Sequence, residues 1–193
     1  VSSFLWSQLA QVHTVISIGG GPGNNLFGVD LFRYLCGFNN NSSDKNDETI
    51  LPFSNLSNLV VLDYAEKGWS SVINKVNQIS KQFFSVKRHV NYLCCHCDVS
   101  LPLKNSNNIK VQHYLRDSKL IIISYLLTET RGKWHQFMVE LWEEALPGTL
   151  FMFMEPTVWQ HHVLLELLGI YNNNKIKTDA VESKRTFKKD GTE

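Results

Sequence analysis

The chain has 193 residues, 43% of them apolar and 19% charged, with a formal net charge of +1. That length carries a substantial core in one domain and is too short for two domains of ordinary size. The near-neutral balance argues neither for nor against a nucleic-acid partner, since a local patch can exist on a neutral protein. Four cysteines, Cys36, Cys94, Cys95 and Cys97, are too few and too clustered for a disulfide framework. They point to a reducing compartment, in the first instance the cytoplasm, with the nucleus and the mitochondrion left open. No run approaches the length of a membrane span.

In chain order, Phe4, Leu5, Leu9 and Val12 have the spacing of a helix leading into the fold. Val12 to Ile18 is a predicted first strand, β-branched and almost continuously apolar, as expected of a strand covered on both faces. A glycine-dense turn follows, with Gly19, Gly20, Gly21, Pro22 and Gly23 consecutive. Such a turn needs positive φ angles and allows a bulky ligand close to bare backbone. A helix starting directly after it aims free N–H groups at whatever sits there. The same turn without a ligand is the plainer alternative.

Leu26, Phe27, Leu31, Tyr34 and Leu35 form a helical stripe up to Phe38, with Gly37 near its C-cap. Residues 39–52 are polar and aperiodic and read as a flexible surface insertion. Leu59 to Asp63 is a second buried strand ending in an acid. A helix over 66–85 places Trp69, Val72, Ile73, Val76, Ile79 and Phe83 on one face. Val90 to Cys97 is a third strand, followed by Asp98, and Leu120 to Tyr125 is a fourth. Lys133 to Ala145 is an amphipathic helix stopped by Pro147 and Gly148. Thr149 to Met154 is a fifth strand, followed by Glu155 and Pro156, and Val158 to Leu168 a last helix. The domain therefore spans 1–171, and 172–193 is a polar, solvated tail. Alternating strands and helices predict a doubly wound α/β fold, mostly parallel, with helices on both faces.

In such sheets, ligands sit outside the carboxyl ends of the strands. Asp63 is placed to accept from the vicinal hydroxyls of a ribose; its plainer alternative is the N-cap of the helix near Glu66. Asp98 is placed to accept from the exocyclic amine of an adenine, or to serve as a turn residue. Flavin and nicotinamide dinucleotide sites need G-x-G-x-x-G/A, and Asn24 is the wrong residue at the last position. That disfavours a pyrophosphate and with it an oxidoreductase.

The remaining nucleotide-type cofactor is S-adenosylmethionine. IGGGPG, LDYAE, CHCDVS, DSKLIIISYLLTE and LPGTLFMFMEP, in that order over about residues 12 to 169, resemble the five motifs of class I, Rossmann-like S-adenosylmethionine-dependent methyltransferases. The resemblance implies that the backbone of Gly19 to Gly23 lies against the methionine portion. It implies that Asp63, beside Tyr64, holds the ribose, that Asp98 and Val99 border the adenine, and that Ser124 and Tyr125 face the methyl group. It implies a methyl acceptor that is RNA, protein or a small molecule, and no membrane partner. SYLLTE, with the Trp-containing helix and the EPT turn, also faintly resembles methyltransferase-like proteins of mitochondrial small-ribosomal-subunit assembly.

The chain departs from the family in several places. Ser17 stands where the family commonly has an acid, and the fourth motif lacks the Asn/Asp-Pro-Pro-aromatic form of amino-group methylases. No convincing strand follows Leu168, so the last two strands of the family fold are missing or degenerate. An inactive scaffold on the same fold is the leading alternative. Tyr125, Glu129 and Glu155 are the candidate bases if the acceptor must lose a proton, with pocket wall and helix-start acid as plainer roles for the first two. No metal is expected. Cys94-Cys95-His96-Cys97 lacks the turn spacing of a zinc site and reads as buried strand thiols. His161 and His162 diverge on their helix. Trp134, Trp142 and Trp159 belong to the core, with Trp159 also placed to line a substrate mouth.

Overall fold

Short, nearly all-apolar runs force this chain into a sheet covered on both faces. The structure, a computed structural model, describes residues 2–39, 51–84 and 90–169. Its elements are α1 (Ser2–Ala10), β1 (Thr14–Ile18), α2 (Asn24–Asn39), β2 (Asn58–Asp63), α3 (Glu66–Phe83) and β3 (Asn91–His96). A 3-10 turn (Ser106–Asn108) then leads to α4 (Ile109–Leu115), β4 (Ser118–Ser124), α5 (Leu126–Glu129), α6 (His135–Glu144), β5 (Leu150–Met154) and α7 (Val158–Leu167). The chain divides into two compact units, Val1–Pro156 and Thr157–Glu193. In the second, the described residues form α7, closed where the Leu168 N–H returns to the Leu164 carbonyl at 2.9 Å and Gly169 turns left-handed.

The five strands run in the order β3-β2-β1-β4-β5, and every neighbouring pair is parallel. This is the doubly wound, Rossmann-like α/β arrangement that the strand–helix alternation predicts. Val15, Leu59, Val61, Leu120 and Ile122 point to one face, in a core shared with Leu26 of α2 and Ile73 of α3. Their alternates Ile16, Ile18, Val60, Leu62, Ile121 and Ile123 are buried on the other side. Val111 and Leu115 of α4 and Phe137, Met138 and Leu141 of α6 are buried too. Order reverses between β1 and β4, the switch point at whose carboxyl ends ligands sit in folds of this kind.

The boundaries differ from expectation at particular residues. β1 begins at Thr14 rather than Val12. α2 starts at Asn24, in the turn itself, and runs through Gly37 to Asn39. Gly37 is not left-handed and is an ordinary helical residue rather than a cap. Residues 40–50 of the expected insertion, residue 85 at the end of the helix expected over 66–85, and the tail from 172 lie outside the described residues. Neither α4 nor the four-residue α5 was expected, because both are shorter than the window in which helical periodicity can be read. Among the described residues, no helix is long and apolar enough to cross a membrane.

A buried polar cluster fastens α2 to α3 and β3. Asp30, fully buried, accepts from Arg33 Nε at 3.0 Å and from its terminal nitrogen at 2.8 Å through Oδ1. Its Oδ2 accepts from the Ser80 hydroxyl and from the Tyr92 hydroxyl, the latter at 3.0 Å. Burial first, and then the Asp30 carboxylate, push the Tyr92 phenol above its ordinary range, so it stays a donor. Removing one member leaves a buried charge without its partner, which is far costlier than removing both. Asp30→Ala is therefore expected to lower stability by about 3–5 kcal/mol, and Asp30→Leu with Arg33→Met by clearly less. Urea unfolding at neutral pH measures both; a double variant no better than the single one contradicts the assignment.

Candidate functional site

The turn after β1 is tied down on both sides. The Gly19 N–H donates to the Leu62 carbonyl at 2.8 Å, and the Gly21 N–H donates to Asp63 Oδ2 at 3.0 Å. Gly23 closes the turn on the Gly20 carbonyl, and its own carbonyl accepts from the Phe27 N–H, the first turn of α2. Gly23 has φ +87°, and a Cβ there would come within 2.5 Å of Ile73 Cδ1. Gly21 has φ +49°, and its Cβ would meet nothing nearer than Trp69 at 3.9 Å. Packing of the chain's own side chains also explains Gly19, against Leu126, and Gly20, against Ser17. The glycine density therefore answers first to the fold, and of the four only Gly21 has room for a Cβ, in ordinary contact with Trp69.

Asp63 and Asp98 stand at the ends of β2 and β3. The other oxygen of Asp63, Oδ1, accepts from the Ala65 N–H at 2.8 Å, so its carboxylate bridges the glycine turn and the entry to α3. It is not a side-chain cap of that helix: the N-cap residue is Ala65. Asp98 turns its chain by accepting from the Ser100 N–H at 2.9 Å and the Ser100 hydroxyl at 2.6 Å, both on Oδ1. A fully buried Asn108 holds this loop, accepting from the Asp98 N–H and donating to the Asp98 and Pro102 carbonyls. Asn108 is a positioning residue that the sequence reading did not single out.

These residues border one cleft of about 340 Å³, within the range of small-molecule sites. Its lining includes Gly19, Asp63, Tyr64, Asp98 and Val99 on one side of the chain order, and Leu126, Glu129, Thr130, Arg131 and Lys133 from the segment after β4. Tyr64 is 73% exposed, with its ring 5.6 Å from that of His96. Gly20, Gly21, Pro22, Gly23, Ser124, Tyr125 and Glu155 are not among the residues lining this cleft. The acids at the ends of β2 and β3 are thus brought together, and the groups at the end of β4 stand apart from them.

At the end of β4, Tyr125 has φ +61° and is 59% exposed. A left-handed conformation is unusual for a side chain of this size and costs about 1–2 kcal/mol. Its N–H donates to the Met154 carbonyl at 2.9 Å, so the conformation is fixed by β5. Glu155 then accepts from the N–H groups of Leu127 and Thr128, at 2.9 and 3.3 Å, and from the Thr128 hydroxyl at 3.0 Å. Its carboxylate anchors the first turn of α5. The other end of α5 is fixed by buried Trp134, whose indole N–H donates to the Leu127 carbonyl at 3.1 Å. Arg131 (φ +49°) and Lys133 follow, exposed and without ion-pair partners among the described residues. The Thr-Arg-Gly-Lys turn was the available signal for them.

Cys94 and Cys95 lie in β3, half-buried, and Cys97 just beyond it is buried. Among the described residues, no three metal-type side chains are grouped for a metal ion. Burial pushes all four thiols up, Cys94 to about 11. Trp134 is a core residue as expected, but Trp142, its ring 5.0 Å from that of Phe151 and tilted 40° to it, and Trp159 on α7, which also carries His161 and His162, are exposed and are not core residues. Comparison with protein-family models and with curated protein sequences finds no match for the chain.

Two outcomes are expected. Gly23→Ala, left-handed and obstructed, is expected to cost about 1–3 kcal/mol or more, and Gly21→Ala, left-handed but open, only about 1 kcal/mol; thermal melting of the two proteins measures the difference. Cys94 is expected to alkylate about a hundred-fold more slowly at pH 8 than an ordinary exposed thiol, because the thiolate is the nucleophile. Its rate should climb as pH rises through about 11, followed by mass spectrometry of the folded chain.

Proposed function

We propose that this chain binds S-adenosylmethionine and transfers its methyl group to an acceptor that is RNA, protein or a small molecule. The observation that carries the reading is the tie of Gly21 to Asp63, which joins the glycine turn of β1 to the acid ending β2 beside the Asp98 cleft. Each Asp63 oxygen takes one backbone N–H, and a carboxylate offers about four acceptor sites, so hydroxyl donors of a ribose still have lone pairs. Both internal bonds of Asp98 fall on Oδ1, which leaves Oδ2 for an exocyclic amine. Val99, buried next to it, supplies an apolar edge for a ring. Asn24 occupies the place where a pyrophosphate site has a small residue, which favours a cofactor without phosphate.

The bound cofactor would supply a sulfonium-activated methyl group, so the work of the protein is alignment and exclusion of water. Ser124 and the fixed, left-handed Tyr125 are the groups at the β4 end that would border the reacting atoms. If the acceptor must lose a proton, exposed Tyr125 and Glu129 are the candidates with free side chains, whereas the Glu155 carboxylate is engaged by α5. A scaffold that keeps the fold without turnover is the second reading. It is favoured by the structural employment of Asp63, Asp98 and Glu155 and by Ser17.

Calorimetric titration with S-adenosylmethionine tests the proposal. Micromolar binding is expected, weakened about ten-fold or more in Asp63→Ala, the worth of a hydrogen bond to a charged group. Folded protein that gives neither heat nor a thermal shift would overturn the cofactor reading.

A further inference from the structure

Among the described residues, three other than glycine have a left-handed backbone: Phe53, Tyr125 and Arg131. Phe53 is buried, its ring 6.3 Å from that of Phe32. Tyr125 and Arg131 bracket α5, one at the end of β4 and the other in the turn after the helix. Arg131 is followed by Gly132, also left-handed at φ +82°, so two such residues stand in a row. These positions favour glycine, asparagine or aspartate, which have no Cβ or a short side chain that bonds locally. Arginine fits neither description, and its guanidinium has no ion-pair partner among the described residues. Packing does not explain the side chain either, because it is exposed. A costly backbone kept beneath an exposed, unpaired cation points to a use for the cation itself.

The turn that carries it is held at its base. The Lys133 N–H donates to the Thr130 carbonyl at 3.1 Å, and the Thr130 hydroxyl donates to the Leu126 carbonyl at 2.7 Å. Arg131 and Lys133 both border the acid-lined cleft. That cleft has buried lining residues, among them Leu62, Val99 and Leu126, and exposed ones, among them Glu129, Arg131 and Lys133. A cofactor held by Asp63 and Asp98 lies against the buried group. The exposed group meets whatever arrives from solvent, which in a methyl transfer is the acceptor. On this segment the two cations outweigh Glu129. A guanidinium presents a planar fork of donors that matches a carboxylate or a phosphate, and the ammonium adds a point charge. We propose that Arg131 and Lys133 hold an oxyanion of the methyl acceptor, a phosphate or a carboxylate. The inference rests on the S-adenosylmethionine reading and adds to it the class of acceptor, an anionic one.

S-adenosylhomocysteine, the cofactor without its methyl group, fills the cofactor site so that acceptor contacts can be read alone. Sodium phosphate, or sodium acetate in a second series, is added to the saturated chain at constant ionic strength while amide chemical shifts are followed. Saturable shifts at Arg131, Gly132 and Lys133 are expected with at least one of the two, and the tighter anion names the acceptor group. Arg131→Gln combined with Lys133→Gln is expected to weaken that binding about ten-fold or more. The same variant is expected to bind S-adenosylhomocysteine as the unaltered chain does, measured by calorimetry. No saturable shift with either anion, or shifts undiminished in the variant, overturn the inference and leave the cofactor reading standing. A loss of S-adenosylhomocysteine affinity of about ten-fold in the variant overturns it too, because the cations then serve the carboxylate of the cofactor. Unaltered protein that does not bind S-adenosylhomocysteine removes the cofactor reading and this inference together.

Discussion

One carboxylate joins the parts of this site. Asp63 spends Oδ2 on the Gly21 N–H and Oδ1 on the Ala65 N–H, so the glycine turn, the end of β2 and the entry to α3 move as a unit. The Gly19 N–H bond to Leu62 extends the β1–β2 ladder one step into the turn and fixes its starting angle. Everything at the carboxyl edge inherits this geometry. α2 leaves the turn with Asn25 in its first turn bonded to Ser17 of β1 and Ser124 of β4.

The same logic recurs along the edge. Asn108 holds the Asp98 loop, and Glu155 with Trp134 holds α5 and the strained Tyr125 before it. An acid at the end of a strand is therefore structural before it is anything else in this protein. What separates the residues is how much acceptor capacity remains after the fold has used its share. By that measure Asp63 and Asp98 keep acceptor capacity, Glu129 has no partner among the described residues, and Glu155 is largely consumed by three bonds to α5.

Strand and helix identity was legible because the signals are long and regular. Leu59 to Leu62 and Leu120 to Ile123 are apolar without interruption, and the Trp69–Ile73–Val76 stripe has helical spacing. The position of Asp63 followed from the first of these runs, and that of Asp98 from the Val90–Cys97 strand. α4 and α5 were not legible, being too short for periodicity, and α5 is also held by Glu155 and Trp134, which come from elsewhere in the chain. The reason for the glycines was legible only in part. Sequence alone cannot distinguish a glycine that admits a ligand from one that avoids Ile73 or Leu126. The bonds of Asn25 were hidden for a related reason: its two serine partners lie eight and ninety-nine residues away.

The central claim is that one ligand spans the edge from Asp98 to the end of β4. Amide chemical shifts of the isotope-labelled chain, recorded while S-adenosylmethionine is added, test it most directly. The account predicts saturable changes concentrated at Gly19 to Gly21, Gly23, Asp63–Tyr64, Asp98–Val99 and Ser124–Tyr125. An unchanged spectrum, or changes confined to residues remote from that edge such as Leu5, Phe32 and Met152, would contradict it.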